Sequence, residues 1–289
     1  MGSAKYVKME DRLEGSAGVQ GGLDVSSLLG TWVNTNSATI GIVKVILAAK
    51  NGALTVRAFS AGEPLPGDTG EVAAELVYAD SLRSQKAVAF TALYDFGFMK
   101  SRLQANMSLG LLIIAGFNTF QDGSGRSNYF CREFYRRETE PTPLRMGSMP
   151  YTRGELPLKP RGRLDPTSLL GVWINTHSAT GGIVRVLLET KNGSFTVHAF
   201  GACDPSPCDW GEVKAEVFAE SIRSEEGKTF LAFYDLGFIE VYLHAWVKLG
   251  VLVIVKFDRF KDGGGRSHRF SREFFYRLET AGGMDESCT

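Results

Sequence analysis

The chain has 289 residues, 44% of them hydrophobic, with acidic and basic side chains in equal number at 32 each. That length and apolar content can bury one large core or two of ordinary size, and the charge balance leaves no overall field to hold nucleic acid or an anionic membrane. No stretch reaches the roughly 18 apolar residues of a membrane helix, and the first residues lack the apolar run of a signal peptide, so the expectation is no membrane span, no nucleic-acid partner and a cytoplasmic address. Four cysteines are too few for a disulfide-dense scaffold and agree with a reducing compartment.

Residues 1–23 read as a flexible tail. From there to residue 137 the pattern is short strands separated by turn chemistry, with eight candidates in chain order: Thr31 to Asn36, Ile42 to Ala49, Leu54 to Phe59, Glu71 to Ala79, Val88 to Phe96, Met99 to Met107, Leu111 to Phe117 and Asn128 to Arg136. Asn51-Gly52 between apolar runs is a hairpin signal, because both residues tolerate the positive φ of a type I′ turn. DGSGR from Asp122 is a longer glycine-bearing hairpin loop; it precedes a strand and not a helix, so it has no helix N-terminus with which to cradle phosphate. Residues 138–163 are rich in Pro and Arg, lack periodicity and read as a linker.

The pattern then starts again. LLGTWVNTNSATIGIVKV from Leu28 returns as LLGVWINTHSATGGIVRV from Leu169; FTALYDFGF from Phe90 returns as FLAFYDLGF; FNTFQDGSGRSNYFCREFYRR from Phe117 returns as FDRFKDGGGRSHRFSREFFYR from Phe257. Residues 164–278 therefore repeat residues 24–137, and 279–289 form a second tail. The period exceeds the roughly 20 to 50 residues of solenoid repeats, so the expectation is two folded units. Sequential hairpins favour an up-and-down antiparallel barrel, whose closure removes exposed edges, with a Greek-key sandwich as the competitor.

Gly30-Thr31-Trp32 and Gly171-Val172-Trp173 resemble the Gly-x-Trp that opens the first strand of calycins, the superfamily of lipocalins, fatty-acid-binding proteins and avidins. Trp-x-Asn followed by Ser, Ile-Val and Asn-Gly-Ala-Leu-Thr is especially similar to the avidin start. The resemblance implies an all-β chain of two tandem eight-stranded up-and-down antiparallel calycin-like barrels, each with a lumen. In lipocalins an arginine from the last strand packs on the tryptophan; Arg132 and Arg272, in the shared Phe-x-Arg-Glu-Phe, are the matching residues.

Strand alternation puts Trp32, Asn34 and Asn36 on one face, and Trp173, Asn175 and His177 on the equivalent one. The asparagines either satisfy buried backbone groups or touch a ligand. On the sixth strand, Lys100, Arg102, Gln104 and Asn106 are replaced in the second unit by Glu240, Tyr242, His244 and Trp246, which points to a surface that meets a ligand or partner. The seventh strand is apolar on both faces, so one face should fill its own unit and the other should pack on the sister unit or another subunit. All four histidines, His177, His198, His244 and His268, lie in the second unit and align with polar residues of the first. The second unit thus reads as the specialised one.

Candidate ligand-binding residues are Asn34, Asn36, Tyr94, Asn175, His177, His198, Tyr234, Tyr242, His244 and Trp246, and His177, His244 and Tyr234 are the candidates for any catalysis. Tyr94-Asp95 and Tyr234-Asp235 are adjacent on a strand and face opposite sides, so neither pair can act together in one cavity. His198 with Cys203, Cys208 and either Asp209 or His177 offers zinc-type donors at a spacing that is not a standard zinc pattern; the cysteines could equally be free thiols or a loop disulfide, and neither a metal nor a cofactor is expected. The functional expectation is binding of a small, mostly apolar molecule in a barrel lumen. Two alternatives accompany it. Two-barrel lipocalin-like proteins include cofactor-free cyclases and isomerases of natural-product pathways, in which the cavity folds a hydrophobic substrate. A self-associating structural protein, a homo-oligomer through the apolar strand surfaces, is the other.

Overall fold

A computed structural model describes residues 22–62, 67–139 and 163–278. Almost all of the expected tails and linker lies outside them. The described residues contain no α-helix; they form 16 strands. In the first half these are β1 (Gly30–Asn34), β2 (Ile42–Lys50), β3 (Ala53–Ser60), β4 (Gly67–Ala79), β5 (Ala87–Asp95), β6 (Met99–Ser108), β7 (Leu111–Phe120) and β8 (Tyr129–Arg137). The second half has β9 (Gly171–Asn175), β10 (Ile183–Lys191), β11 (Ser194–Gly201), β12 (Cys208–Ala219), β13 (Gly227–Asp235), β14 (Ile239–Lys248), β15 (Val251–Phe260) and β16 (Arg269–Arg277).

Each strand pairs antiparallel with the next in its half, the up-and-down order. In each half the last strand also returns to the first: Trp32 lies opposite Arg137, and Trp173 opposite Arg277. The pairings thus run as two rings of eight, linked into one 16-stranded sheet by parallel bridges at Tyr129–Ala219 and Ala79–Arg269. The Asn-Gly signals are hairpin turns, with φ of 50° and 78° at Asn51 and Gly52 and 49° and 69° at Asn192 and Gly193. Leu109-Gly110 and Leu249-Gly250 adopt the same positive φ, although leucine seldom occupies that region.

Alternation decides what each face does. On β2, Val43, Val45 and Leu47 are buried every second residue and Val45 and Leu47 join the first core with Trp32, Val56, Phe90, Leu103 and Ile114. Trp173, Val186, Val197, Phe230, Leu243 and Ile254 build the second core from equivalent places. On β7, Leu112 and Ile114 face this interior, whereas Ala115 and Phe117 pack with Phe218, Phe130 and Leu231 between the halves. Tyr78, Val255 and Phe257 form a second such cluster. The outward apolar face of the seventh strand is therefore covered by the sister half of the same chain. No helix among the described residues is long and apolar enough to cross a membrane.

The first strand of each half ends earlier than expected, with consequences for the site. β1 stops at Asn34, and β9 at Asn175, because the asparagine Oδ1 accepts the backbone N–H two residues on, at 2.9 Å in both halves. That turn competes with the strand ladder, so Asn36 and His177 lie beyond the strand on exposed connections.

Candidate functional site

One end of each ring is closed by its tryptophan. Trp32 Nε1 donates to Leu28 O at 2.8 Å, Trp173 Nε1 to Leu169 O at 2.9 Å, and both rings are fully buried. The arginines stacked on them are Arg137 and Arg277, at 4.5 and 4.6 Å, not Arg132 and Arg272. Strand register is the reason: the residue opposite Trp32 is Arg137, whereas Arg132 lies opposite Ala115 and projects between the halves over Trp246. Arg137 Nη2 also donates to Ser27 O at 2.8 Å, so the guanidinium ties the preceding turn to the last strand.

At its other end the first ring holds a cavity of about 300 Å3. Ile42, Ala58, Leu103 and Ile114 supply apolar wall, and Ile40, Phe96 and Phe98 form a rim that is 48%, 37% and 47% exposed. Its polar groups are mostly committed to the fold. Tyr94 hydroxyl donates to Val56 O at 2.8 Å and accepts from Ala58 N at 3.1 Å, which satisfies backbone at the register shift between Arg57 and Phe59. Glu133 accepts from Thr39 Oγ1 and, at 3.1 Å, from the Tyr135 hydroxyl. Cys131 is half-buried because it faces the cavity, and burial, with Glu133 nearby, pushes its thiol up to about 12. Burial likewise raises the Tyr94 and Tyr135 hydroxyls, Tyr135 well above the ordinary value. These three groups stay protonated at neutral pH. Ser101 faces the cavity with no hydrogen-bond partner for its hydroxyl among the described residues.

The second ring carries different side chains at the same places. Trp210 stands where the first half has Thr69 and packs edge-on against Tyr234 at 5.6 Å. Gly201, in place of Ser60, makes room for it: a Cβ there would lie 2.7 Å from Trp210 Nε1. Lys256, Asp258 and Arg269 replace Gly116, Asn118 and Tyr129, all three of which line the first cavity. Lys256 Nζ reaches Asp258 Oδ2 at 2.7 Å, and Arg269 Nη2 and Nε reach the same oxygen at 2.8 and 3.1 Å. Phe238 is 8% exposed where its counterpart Phe98 is open. Just before Trp210, Cys203 and Cys208 are bridged, so their sulfurs are not free for zinc, and the cysteines no longer support a reducing compartment.

The ten expected ligand residues separate into distinct settings. Only Tyr94 borders the open cavity. Asn34 and Asn175 hold the turns described above and donate to Ile42 O and Ile183 O at 2.9 and 2.7 Å. Tyr234 repeats the Tyr94 bonds, to Val197 O at 2.8 Å and from Ala199 N at 3.1 Å. His198 Nε2 lies 2.5 Å from Asp209 Oδ1, taking the place of the Arg57–Asp68 pair of the first half. Tyr242, His244 and Trp246 face the first half. His244 is 2% exposed, edge-on to Phe117 at 4.5 Å and 4.9 Å from Trp246; burial, aided by Arg132 and Arg272, holds its imidazole well below the usual range and hence neutral. The partner that the sixth strand meets is the sister half.

Tyr94→Phe and Tyr234→Phe are each expected to cost about 1–3 kcal/mol, because a buried backbone N–H at the register shift loses its acceptor; urea unfolding measures it, and an unchanged midpoint would mean the bulge needs no such bond. Compared with known proteins, the chain matches no protein-family model and no curated protein.

Proposed function

We propose that each ring is an up-and-down barrel of the calycin type, the pair a tandem duplication, and that the first barrel binds a small, mostly apolar molecule in its lumen. The observation that carries this reading is the asymmetry between the halves: an apolar cavity with an exposed apolar rim in the first, and Trp210 with a buried ion-paired lysine at the same level in the second. Return of the last strand to the first, with an arginine stacked on the opening tryptophan, supports the calycin reading. A volume of about 300 Å3 suits a small guest, and apolar area removed from water contributes about 25 cal/mol per Å2.

The cavity favours a binder over a cyclase or isomerase, since its tyrosines and thiol are protonated and its other polar groups are mostly spent on the main chain. The self-association reading loses the surface that motivated it, because the seventh-strand faces are covered within the chain. The reading thus favours the lumen of the first unit, although the second carries the more divergent side chains.

Transplanting the second-half plug tests this. Titration of the whole chain with the neutral lipophilic probe N-phenyl-1-naphthylamine is expected to give saturable fluorescence, and the double variant Ser60→Gly, Thr69→Trp is expected to bind at least about tenfold more weakly, ~1.4 kcal/mol, with its melting temperature retained. Equal affinity in the two proteins would place the probe elsewhere.

A further inference from the structure

A second cavity, of about 200 Å3, lies at the junction of the two halves and is polar where the first is apolar. Gln104, Thr91 and Arg102 reach it from β5 and β6, Tyr78 and Glu75 from β4, and Tyr242 and Arg259 from β14 and β15 of the other half. Gln104 is 4% exposed, and its Oε1 is sealed from solvent with no hydrogen-bond partner among the described residues. A buried acceptor left unpaired is costly and calls for an explanation, a bound water, ion or molecule among them. The last side-chain torsion of glutamine is soft, so the amide can turn its carbonyl to the cavity. Tyr242 hydroxyl likewise has no partner among the described residues.

The charged groups are paired and open to water. Arg102 pairs with Glu75 at 2.7 Å and Arg259 with Glu240 at 3.2 Å; three of these four side chains are more than a third exposed, so the pairs hold weakly and can be shared with a ligand. Glu75 is aimed here by a register shift of β4 between Ala74 and Leu76. The related place in the other half is less polar: Phe218, Leu231 and His244 stand for Tyr78, Thr91 and Gln104, and Phe218 and His244 pack edge-on against Phe117 at 5.1 and 4.5 Å. Near two-fold repetition thus gives two equivalent places, one lined by polar side chains and the other packed with aromatic ones.

We propose that this junctional cavity binds a small zwitterion carrying an ammonium and a carboxylate, of amino-acid size. Arg259 and Arg102 take the carboxylate, a geometry to which the planar guanidinium is suited. The Gln104 carbonyl and the Glu75 carboxylate accept from the ammonium, and the Tyr242 hydroxyl completes the wall. The lining presents two guanidiniums and one carboxylate, so a ligand that offers a carboxylate to the former and an ammonium to the latter matches both signs. At ~30 Å3 per water, the volume corresponds to roughly half a dozen waters, which bounds the guest to a comparable number of non-hydrogen atoms.

Calorimetric titration of the whole chain with alanine at constant ionic strength is expected to give saturable heat. Acetate and methylammonium, each carrying half of the ligand's charge pattern, should bind at least about tenfold more weakly. Gln104→Leu, which places an apolar side chain as Leu231 does, and Arg259→Gln should each weaken alanine binding at least about tenfold while leaving the melting temperature and N-phenyl-1-naphthylamine binding unchanged, so that this site and the first lumen are judged separately. Absence of saturable heat with alanine, acetate binding as tightly as alanine, or undiminished binding by Gln104→Leu would each overturn the assignment.

Discussion

Replacing Trp32 or Trp173 by alanine is expected to destabilise the chain by about 3–5 kcal/mol. Each indole is about 1% exposed, fills the closed end of its core and donates its N–H to a main-chain carbonyl. Truncation removes the ring, leaves a cavity and strips Arg137 or Arg277 of the surface it lies on. The arginine would still reach Ser27 O or Ser168 O, so the packing loss dominates. Denaturant unfolding followed by far-ultraviolet dichroism measures the effect in each variant. A loss below about 1 kcal/mol would show that the ring closes without its tryptophan, since such a value is ordinary for any point substitution.

The same tryptophans show what was legible in the sequence. Gly-x-Trp and the repeat located both rings, and the Asn-Gly pairs located two hairpins, because these signals are local: a φ preference, or a motif with its own spacing. The arginine partner was not local. Which residue of the last strand faces Trp32 depends on register between strands more than 100 residues apart, and a shared Phe-x-Arg-Glu-Phe cannot supply it; Arg137, adjacent to Arg136 in an unremarkable basic run, takes the role. Register likewise decided strand six, where Tyr242, His244 and Trp246 were expected to meet a ligand or partner and pack against the first half of the same chain.

The candidate site was harder to read for a different reason. Attention to the histidines follows from their chemistry, yet His177 leaves its strand at the Asn175 turn, and His198 and His268 repeat jobs done by Arg57 and Asn128. The informative differences between the copies were steric: Thr69 against Trp210, Ser60 against Gly201, Gly116 against Lys256. Alternation separates two faces of a strand without saying which is inner, so a glycine opposite a lysine is silent until the inner face is known. On β7 that face is set by Leu112 and Ile114; Gly116 continues it and leaves space, and Lys256 at the same position fills it.

That lysine carries the other large effect. Asp258→Asn, which restores the first-half residue, is expected to cost about 3–5 kcal/mol, because it keeps the packing but removes the carboxylate from the buried Lys256 and the partly buried Arg269. Asp258 is fully buried, and one oxygen, Oδ2, receives both Lys256 and Arg269. Burial lowers Lys256 to about 8 although Asp258 raises it; the native state therefore gives up this proton before the unfolded chain, whose lysine keeps its ordinary value of 10.5. Stability gained from its loss is absent below about pH 8 and grows as pH rises toward that value. Burial raises the Tyr94 and Tyr234 hydroxyls, so those groups act with the opposite sign and only above their ordinary value of 10.0. Between pH 8 and 10 the chain should thus become more stable relative to Lys256→Met, in which Asp258 keeps Arg269 and no lysine titrates. Unfolding free energies of the two proteins across that window test the assignment: parallel curves would mean that Lys256 titrates as an exposed lysine does, and that its place beside Asp258 is not a desolvated one.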